Sequence, residues 1–332
     1  MSFYGRKKMN IKEQFEKLFN NELPINRARE LLIELHKKGE TSQDIATIAS
    51  IMREYSIKLP ISSELQKQAI DIVGTGGDKS GSFNISTTVS LLLASLGSIV
   101  AKHGNRSITS NSGSADVLER LGINLNLTPQ QQVKMLEETG FCFIFAMNHH
   151  PTMKHIMPIR KSIEHRTIFN ILGPLTNPAG AKKYLLGVFS PDYIERMAKA
   201  LVELKATRAF VVSSNDGMDE ISLATTTPFA YIENGVVSRG VIDPQEFGFD
   251  LTPKEAILGG NAKDNAKITR DIFTNRATDA QRDIIILNAG YALFVEGKAR
   301  DMQEAFEIAR SGIESSKAKK HLELISQVSN KL

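Results

Sequence analysis

Two short apolar segments, each running directly into a polar loop, constrain the fold of this chain most. Residues 69–73 (A-I-D-I-V) lead into Gly74, Gly76 and Gly77, and residues 98–101 lead into K-H-G-N-R-S. Apolar runs of this kind are typical of strands in a parallel sheet that is covered on both faces. Because parallel strands end at the same edge of a sheet, the two loops are expected to lie side by side. The sequence therefore predicts an α/β fold with a mostly parallel central sheet covered by helices.

Residues 1–65 are predicted to form a separate, all-helical domain. Apolar side chains recur there at helical spacing, which indicates three short amphipathic helices and no strand. Such helices bury little apolar surface alone, so their apolar faces are expected to cover the main domain or a second copy of the chain. A homodimer contact through this domain, around Leu31 and Leu32, is a hypothesis. Helices from about 155–180 could join this domain, and residues 66–332 form the expected α/β domain.

Strands and helices alternate along the rest of the chain. Thr128-Pro129, followed by glutamines, is typical of a helix start. Asn234-Gly235 is typical of a type I′ turn in a hairpin. The predicted elements are strands over 69–73, 98–102, 141–146, 184–189 and 209–212, a hairpin over 229–242, and closing helices over 279–295 and 302–327.

Composition and charge argue against several classes of protein. The 332 residues carry a net charge of +4, with short basic clusters at 6–8 and 317–320, whereas nucleic-acid binding usually requires a concentrated basic face. No apolar run reaches about 18 residues, so no membrane span is expected, and the first residues lack the apolar core of a signal peptide. The single cysteine, Cys142, lies in the apolar run F-C-F-I-F and is expected to be buried and inert. We therefore expect a cytoplasmic protein that binds neither nucleic acid nor a membrane.

The first loop has the features of an anion-binding site. Its glycines allow backbone conformations closed to other residues and a close approach to a ligand. Asn84, Ser86 and Thr87 stand where the next helix begins, beside the positive end of the helix dipole. The glycine spacing differs from the dinucleotide and P-loop patterns, which excludes both readings. A tight strand-to-helix turn is the alternative explanation of this loop alone.

The second loop strengthens the prediction of a phosphate site. Lys102, His103 and Arg106 bring cationic side chains next to hydroxyl donors such as Thr109 and Ser110. A single lysine or histidine is usually a surface or packing residue, but this many donors directly after a buried strand are harder to explain structurally. Exposed backbone N–H groups with positive charge are the chemistry of a phosphate cradle.

Two further groups complete the candidate site. The adjacent carboxylates of Asp219 and Glu220 would be solvated charge in isolation, but beside a polyphosphate they offer the oxygen ligands that Mg²⁺ prefers. His149, His150 and Arg160 follow another apolar strand. Histidines there are more often packing residues, yet Arg160 could bind the carboxylate of an aromatic ligand through two hydrogen bonds.

Seven sequence motifs occur in order along nearly the whole chain. They are V-G-T-G-G-D, N-I-S-T, K-H-G-N-R-S, S-G-S-A-D-V-L-E-R-L-G, H-H-P-x-M-K, R-T-I-F-N-I-L-G-P-L-T-N-P and D-G-M-D-E-I-S. With these motifs, the sequence resembles the anthranilate phosphoribosyltransferase family of tryptophan biosynthesis. The resemblance implies a small helical domain, a large α/β catalytic domain over residues 66–332, and a homodimer that associates through the helical domain.

The resemblance also implies the role of individual residues, with Lys102 and Arg160 as the catalytic ones. Phosphoribosyl pyrophosphate (PRPP) would be bound by Gly74, Thr75, Gly76, Gly77, Asp78, Asn84, Ser86, Thr87, Lys102 and Ser114. Anthranilate would be bound by Gly74, His103, Asn105, His150, Arg160 and Pro174. Two Mg²⁺ ions per subunit are expected, one ligated by Ser86 and the other by Asp219 and Glu220.

The implied reaction displaces pyrophosphate from ribose C1 by the amine of anthranilate. Two alternatives are a pyrimidine nucleoside phosphorylase of the same fold and a non-catalytic relative that binds nucleic acid. The K-H-G-N-R sequence argues against the first, and the intact G-T-G-G-D and D-E sequences argue against the second.

Several positions differ from the family pattern, whereas the phosphate and metal motifs do not. The departures are Met147, Thr152, Ile163-Glu164-His165, Ser213-Ser214 and Ala224-Thr225-Thr226. Met147 and Thr152 would lie beside the anthranilate channel, so the departures concern acceptor specificity rather than donor binding.

Overall fold

The computed structural model describes residues 10–107 and 112–332, and these form a central sheet surrounded by helices. The strands are β1 (Ile70–Gly74), β2 (Val100–Gly104), β3 (Phe141–Phe145), β4 (Lys183–Gly187), β5 (Arg208–Val212), β6 (Thr227–Glu233) and β7 (Val236–Ile242). They form one sheet in the order β3-β2-β1-β4-β5-β6-β7. Strands β1 to β5 are parallel and β6 and β7 are antiparallel. The predicted α/β fold with a mostly parallel sheet is therefore confirmed.

The helices precede the sheet, connect its strands and close the chain. They are α1 (Ile11–Phe19), α2 (Ile25–Lys38), α3 (Ser42–Glu54), α4 (Ser63–Gln68), α5 (Ile85–Ser95), α6 (Ser114–Arg120), α7 (Pro129–Thr139), α8 (Ala146–His149), α9 (Met153–Lys161), α10 (Phe169–Leu172), α11 (Ile194–Glu203), α12 (Ala262–Phe273), α13 (Asp279–Glu296), α14 (Met302–Glu314) and α15 (Lys317–Lys331). None of the helices in the described ranges combines the length and the apolar character that crossing a membrane requires.

The five parallel strands are buried along almost their whole length. Helices α5, α7, α11 and α13 pack against them, which explains why these strands are apolar on successive positions rather than on alternate ones. Because β1, β2, β3, β4 and β5 run in the same direction, the loops that follow them leave from one edge of the sheet. That edge carries the polar loops singled out in the sequence.

The first described residues are helical, as the sequence predicts. Helices α1 and α2 contact α9, and α3 contacts α1 and α11. Thr41 begins α3 with a capping box in which Asp44 completes the reciprocal hydrogen bonds. Leu31 and Leu32 are buried within the chain itself, so the apolar face of α2 is covered by its own fold. The division into domains at residue 65, with helices from 155–180 added to the first domain, stays a prediction.

The structure corrects one predicted helix and several boundaries. The helix predicted over 302–327 is two helices, α14 and α15, because the chain turns at Ser316, which has a φ of +59°. The first two strands begin one or two residues later than predicted. The hairpin is confirmed, with Asn234 at φ +49° and Gly235 at φ +85°, as a type I′ turn requires. Cys142 is buried, as predicted, and burial raises the pKa of its thiol, which disfavours the reactive thiolate.

Candidate active site

The loop after β1 is shaped by close contact with the acidic pair. A Cβ atom on Gly74 would collide with the carboxylate of Asp219, so a larger side chain could not take this place. Gly76 and Gly77 have φ of +66° and +73°, a region that favours glycine. The N–H of Gly76 donates a hydrogen bond to Oδ2 of Asp219 (2.7 Å). The N–H of Thr75 donates to the carbonyl oxygen of Gly187 (3.0 Å), which ties the loop to the end of β4.

The start of α5 brings this loop together with the second one. The N–H of Ser86 donates to Oε1 of Glu220 (3.2 Å), and the hydroxyl of Thr87 donates to Oγ of Ser114 (3.0 Å). Nδ2 of Asn84 donates to the carbonyl oxygen of Ser112 (3.3 Å). The predicted donor residues therefore do converge, around a helix N-terminus whose dipole favours an anion.

Lys102 is a fully buried cation at the centre of this arrangement. Its Nζ donates to the carbonyl oxygen of Ile72 (2.6 Å) and lies 3.4 Å from Oγ of Ser86. Burial lowers the pKa of Lys102, and the nearby carboxylates of Asp71, Glu220 and Asp219 oppose that shift. A cation held in a protein interior interacts strongly with any anion that enters the site.

The surroundings of the acidic pair disfavour the ionised form of both carboxyl groups. A bound divalent cation would offset this effect. Burial raises the pKa of both carboxyl groups, and next in importance are neighbouring carboxylates, Asp78 for Asp219 and Asp219 for Glu220. Within the described ranges, no three His, Cys, Asp or Glu side chains are grouped so that they could hold a metal alone. Mg²⁺ is commonly bound by one or two carboxylates together with substrate phosphates, and these residues fit that arrangement.

Arg106 does not contribute a free cation, contrary to the prediction from the sequence. Its guanidinium donates to Asp116 (3.0 Å) and, through two hydrogen bonds, to Glu119 (2.7 and 2.6 Å). Asp116 also accepts hydrogen bonds from the N–H groups of Ser107 and Gly113. These contacts fix the two ends of the second loop rather than provide an anion site. The predicted donors Thr109 and Ser110 lie outside the described residues.

His103 and His150 form a buried pair on the other side of β2. Their ring centroids are 5.2 Å apart, and both side chains are buried. Burial lowers the pKa of His103 well below its usual value, and the neighbouring His150 adds to this effect. Burial and then His149 lower the pKa of His150 to about 4. His103 is therefore neutral near pH 7, not the cation that the sequence predicts. Its Nδ1 is 3.1 Å from the carbonyl oxygen of Gly173, so Nδ1 carries the proton. The buried Nε2 is an acceptor without a hydrogen-bond partner among the residues that the structure describes.

The remaining predicted acceptor residues lie on neighbouring segments. Pro174 is buried and directly follows the carbonyl group that His103 contacts. Asn105 ends the turn after β2, where its Oδ1 accepts from the N–H of Arg106 (2.8 Å). Arg160 lies on α9 over the ring of Phe169, with 5.5 Å between Cζ and the centroid. Burial lowers the pKa of Arg160, and within residues 10–107 and 112–332 no carboxylate forms an ion pair with it.

The structure adds supporting residues that the motifs do not single out. Asp71 is buried in β1, accepts hydrogen bonds from the N–H of His103 (3.1 Å) and from Asn177 (2.7 Å), and burial raises its pKa to about 7. The sequence signal was an acidic residue inside an apolar strand. Asn288 holds the segment after the acidic pair, because it exchanges two hydrogen bonds with the backbone of Ile221 (3.0 and 2.9 Å). An asparagine within a long helix offers no comparable sequence signal.

Two of the five departures from the family pattern have different surroundings. Met147 is 66% exposed on α8, next to the acceptor residues. Ser213 and Ser214 are buried behind the acidic pair, where the N–H of Ser214 donates to the carbonyl oxygen of Met218 (3.0 Å). The second group therefore supports the loop that carries Asp219 instead of lining the acceptor side.

Comparison with known proteins defines first the class and then the family. A sequence profile of the "Glycosyl transferase family, a/b domain" matches residues 66–319. An anthranilate phosphoribosyltransferase from Rubrobacter xylanophilus is 43% identical over 302 residues, which cover 91% of this chain and 87% of that protein. The crystal structure of an anthranilate phosphoribosyltransferase from Thermus thermophilus superposes with a TM-score of 0.89 at 38% identity, covering 96% of this chain and 94% of that one.

A more distant structure carries ligands. The anthranilate phosphoribosyltransferase from Saccharomyces cerevisiae, in complex with PRPP and Mg, has a TM-score of 0.87 at 25% identity and covers 97% of this chain and 93% of that one. The present chain belongs to the anthranilate phosphoribosyltransferase family.

Proposed function

We propose that this protein transfers the 5-phosphoribosyl group from PRPP to the amine of anthranilate, with release of pyrophosphate, in tryptophan biosynthesis. One observation carries this proposal: the buried cation Lys102 and the acidic pair converge with the glycine loop on one side of β2, and the neutral histidines lie on the other. An anionic donor and an uncharged nucleophile need these two environments side by side.

The donor half consists of the loop after β1, the start of α5 and Lys102. In this proposal PRPP is held by Gly74, Thr75, Gly76, Gly77, Asp78, Asn84, Ser86, Thr87, Lys102 and Ser114. Their convergence through direct hydrogen bonds supports the assignment. Mg²⁺ would supply charge neutralisation for the phosphates when bound. We assign one ion to Ser86 and a second to Asp219 and Glu220. The second site has the more direct support, because burial and then the neighbouring carboxylate of Asp219 raise the pKa of Glu220.

The acceptor half would hold anthranilate among Gly74, His103, Asn105, His150, Arg160 and Pro174. Arg160 suits the carboxylate, since its guanidinium has no ion-pair partner within the described ranges. Nε2 of His103 is a buried acceptor, which suits the N–H of an aromatic amine. That amine is already neutral at pH 7, so the reaction needs no strong general base.

The main task of the site is to stabilise the departing pyrophosphate. Lys102 is fixed before reaction by its contacts with Ile72 and Ser86, so it needs little reorganisation when charge develops. Holding both substrates in line would supply up to roughly 7–11 kcal/mol of the barrier reduction. The residues thus favour catalysis by positioning and electrostatics, without a protein nucleophile.

Loss of anthranilate fluorescence in the presence of PRPP and Mg²⁺ tests the proposal. We expect turnover with all three components and none when PRPP or Mg²⁺ is omitted. A folded sample that leaves anthranilate unconsumed would contradict the proposed function.

The homodimer and the cytoplasmic location are also part of this proposal. Because Leu31 and Leu32 are buried within the chain, charged residues there would disrupt the fold itself. Ile25, at the start of α2, is 70% exposed and is the better probe. We expect Ile25→Glu to convert a dimer to a monomer in sedimentation; a monomeric wild-type chain would contradict the dimer.

A further inference from the structure

Arg166 lies on the turn between α9 and α10 and contacts the loop after β1, called the donor loop below. It is not among the residues assigned above to PRPP. Its Nη2 donates a hydrogen bond to the carbonyl oxygen of Gly77 (2.5 Å). We propose that Arg166 is a positioning residue for PRPP, which fixes the peptide group between Gly77 and Asp78 and so the direction of the N–H of Asp78. The inference rests on the proposed function of the site and adds a residue to it.

The loop is held from two opposite partners. On one side the N–H of Gly76 donates to Asp219, and on the other the carbonyl group of Gly77 accepts from Arg166. Both glycines have positive φ, and glycine has the largest conformational freedom to lose. Without Arg166, the carbonyl of Gly77 would lose its bond to a charged donor, and the loop would sample other conformations.

Arg166 reaches the same loop a second time through Phe189. The guanidinium lies over the ring of Phe189, with 3.6 Å from Cζ to the centroid, a geometry in which the cation is attracted to the ring face. The N–H of Phe189 in turn donates to Oγ1 of Thr75 (3.1 Å). The side chain therefore braces both the beginning and the end of the glycine segment.

The position of Arg166 is itself fixed by the helices at the start of the chain. The ring of Tyr193 lies against Phe189, with centroids 5.1 Å apart, and its hydroxyl donates to the buried Glu40 (3.3 Å). The ring of the adjacent His165 stacks on His36, with centroids 4.0 Å apart and an interplanar angle of 17°. A functional loop supported by such a packed layer keeps its geometry.

The charge of Arg166 is also available to an anion. No carboxylate forms an ion pair with it in the part of the chain that the structure describes, and its buried Nη1 has no hydrogen-bond partner there. An uncompensated cation beside an anion-binding loop raises the local positive potential. Position and charge thus favour the same substrate.

Steady-state kinetics of Arg166→Ala and Arg166→Lys test this role, with Arg196→Ala as the matched control. Arg196 also lies over an aromatic ring of this cluster, that of Tyr193, at 5.4 Å. We expect Arg166→Ala to raise the KM for PRPP about tenfold, as for loss of one hydrogen bond from a charged donor, with little change in the KM for anthranilate. Lysine keeps the charge without the planar fork, so Arg166→Lys should restore part of the loss.

Calorimetric titration of each variant with PRPP and Mg²⁺ separates this inference from the proposed function. Wild-type protein that neither binds PRPP nor consumes anthranilate would contradict both. Wild-type turnover, together with an unchanged KM for PRPP in a folded Arg166→Ala variant, would overturn the role of Arg166 alone. Equal rises in the two KM values, or the same changes in Arg196→Ala, would also overturn it, because they indicate a general packing effect.

Discussion

The donor half and the acceptor half of the site are built on opposite principles. On the donor half, polar groups already bond to one another: Ser86 contacts Glu220 and Lys102, and Thr87 contacts Ser114. On the acceptor half, buried polar groups lack such partners, as Nε2 of His103 does. The donor half is therefore a preorganised hydrogen-bond network, whereas the acceptor half combines neutral histidines with the guanidinium of Arg160.

This difference predicts how replacements in the two halves should behave. Asn84, Ser86 and Lys102 each have two hydrogen-bond partners, so a replacement there would leave polar groups unpaired, which costs about 1–3 kcal/mol for each buried group. Met147, exposed beside the acceptor residues, carries no such constraint. The contrast between the two halves can be tested one residue at a time.

The largest effect is expected from Lys102→Met, which removes the buried cation and keeps much of its volume. We expect kcat/KM for PRPP to fall about 10²- to 10³-fold, as when a preorganised charge-stabilising donor is removed. The KM for anthranilate should change little. If the activity of the variant were within the range of the wild type, the leaving-group role of Lys102 would be wrong. A thermal unfolding curve controls for misfolding.

The next effect concerns the acidic pair. Asp219→Asn combined with Glu220→Gln keeps the shapes but removes the charges, so the Mg²⁺ concentration for half-maximal rate should rise at least about tenfold. Because burial and neighbouring carboxylates raise the pKa of both carboxyl groups, the same variant should unfold at a higher temperature than wild type without Mg²⁺. An unchanged Mg²⁺ requirement would refute the metal role.

Arg160→Ala tests the acceptor half. Loss of a charge-assisted contact to the anthranilate carboxylate should raise the KM for anthranilate about tenfold. The KM for PRPP should stay near the wild-type value. A rise in the KM for PRPP with an unchanged KM for anthranilate would place Arg160 on the donor half and contradict its acceptor role.

A separate effect, on stability rather than on activity, is a pH dependence at His150. Its pKa falls from the usual 6.5 to about 4 on folding, so between these values the unfolded chain binds a proton that the folded chain does not. The free energy of unfolding therefore decreases as the pH falls through that range, by about 1.4 kcal/mol per pH unit for this residue. In urea unfolding, the free energy of unfolding should decrease less steeply with falling pH for His150→Gln than for wild type. Equal slopes would contradict a neutral, buried His150.

The sequence predicts the scaffold and the donor half well because both follow from local patterns. Continuous apolar runs predicted the parallel strands, and glycines followed by small polar residues predicted the loop and the start of α5. Ion pairing across the chain is not a local property, so the engagement of Arg106 by Asp116 and Glu119 was missed. The same holds for Arg166, whose partner Gly77 lies far away in sequence. The break at Ser316 was missed because neither glycine nor proline marks it.

The most direct test of two separate halves in one site is a crystal structure of the protein with Mg²⁺, inorganic pyrophosphate and anthranilate. We predict pyrophosphate against Lys102 and the loop after β1, with Mg²⁺ at the acidic pair. Anthranilate should lie beside His103 and His150, with its carboxylate on Arg160. Anthranilate bound among the donor residues, or pyrophosphate bound away from Lys102, would contradict the account.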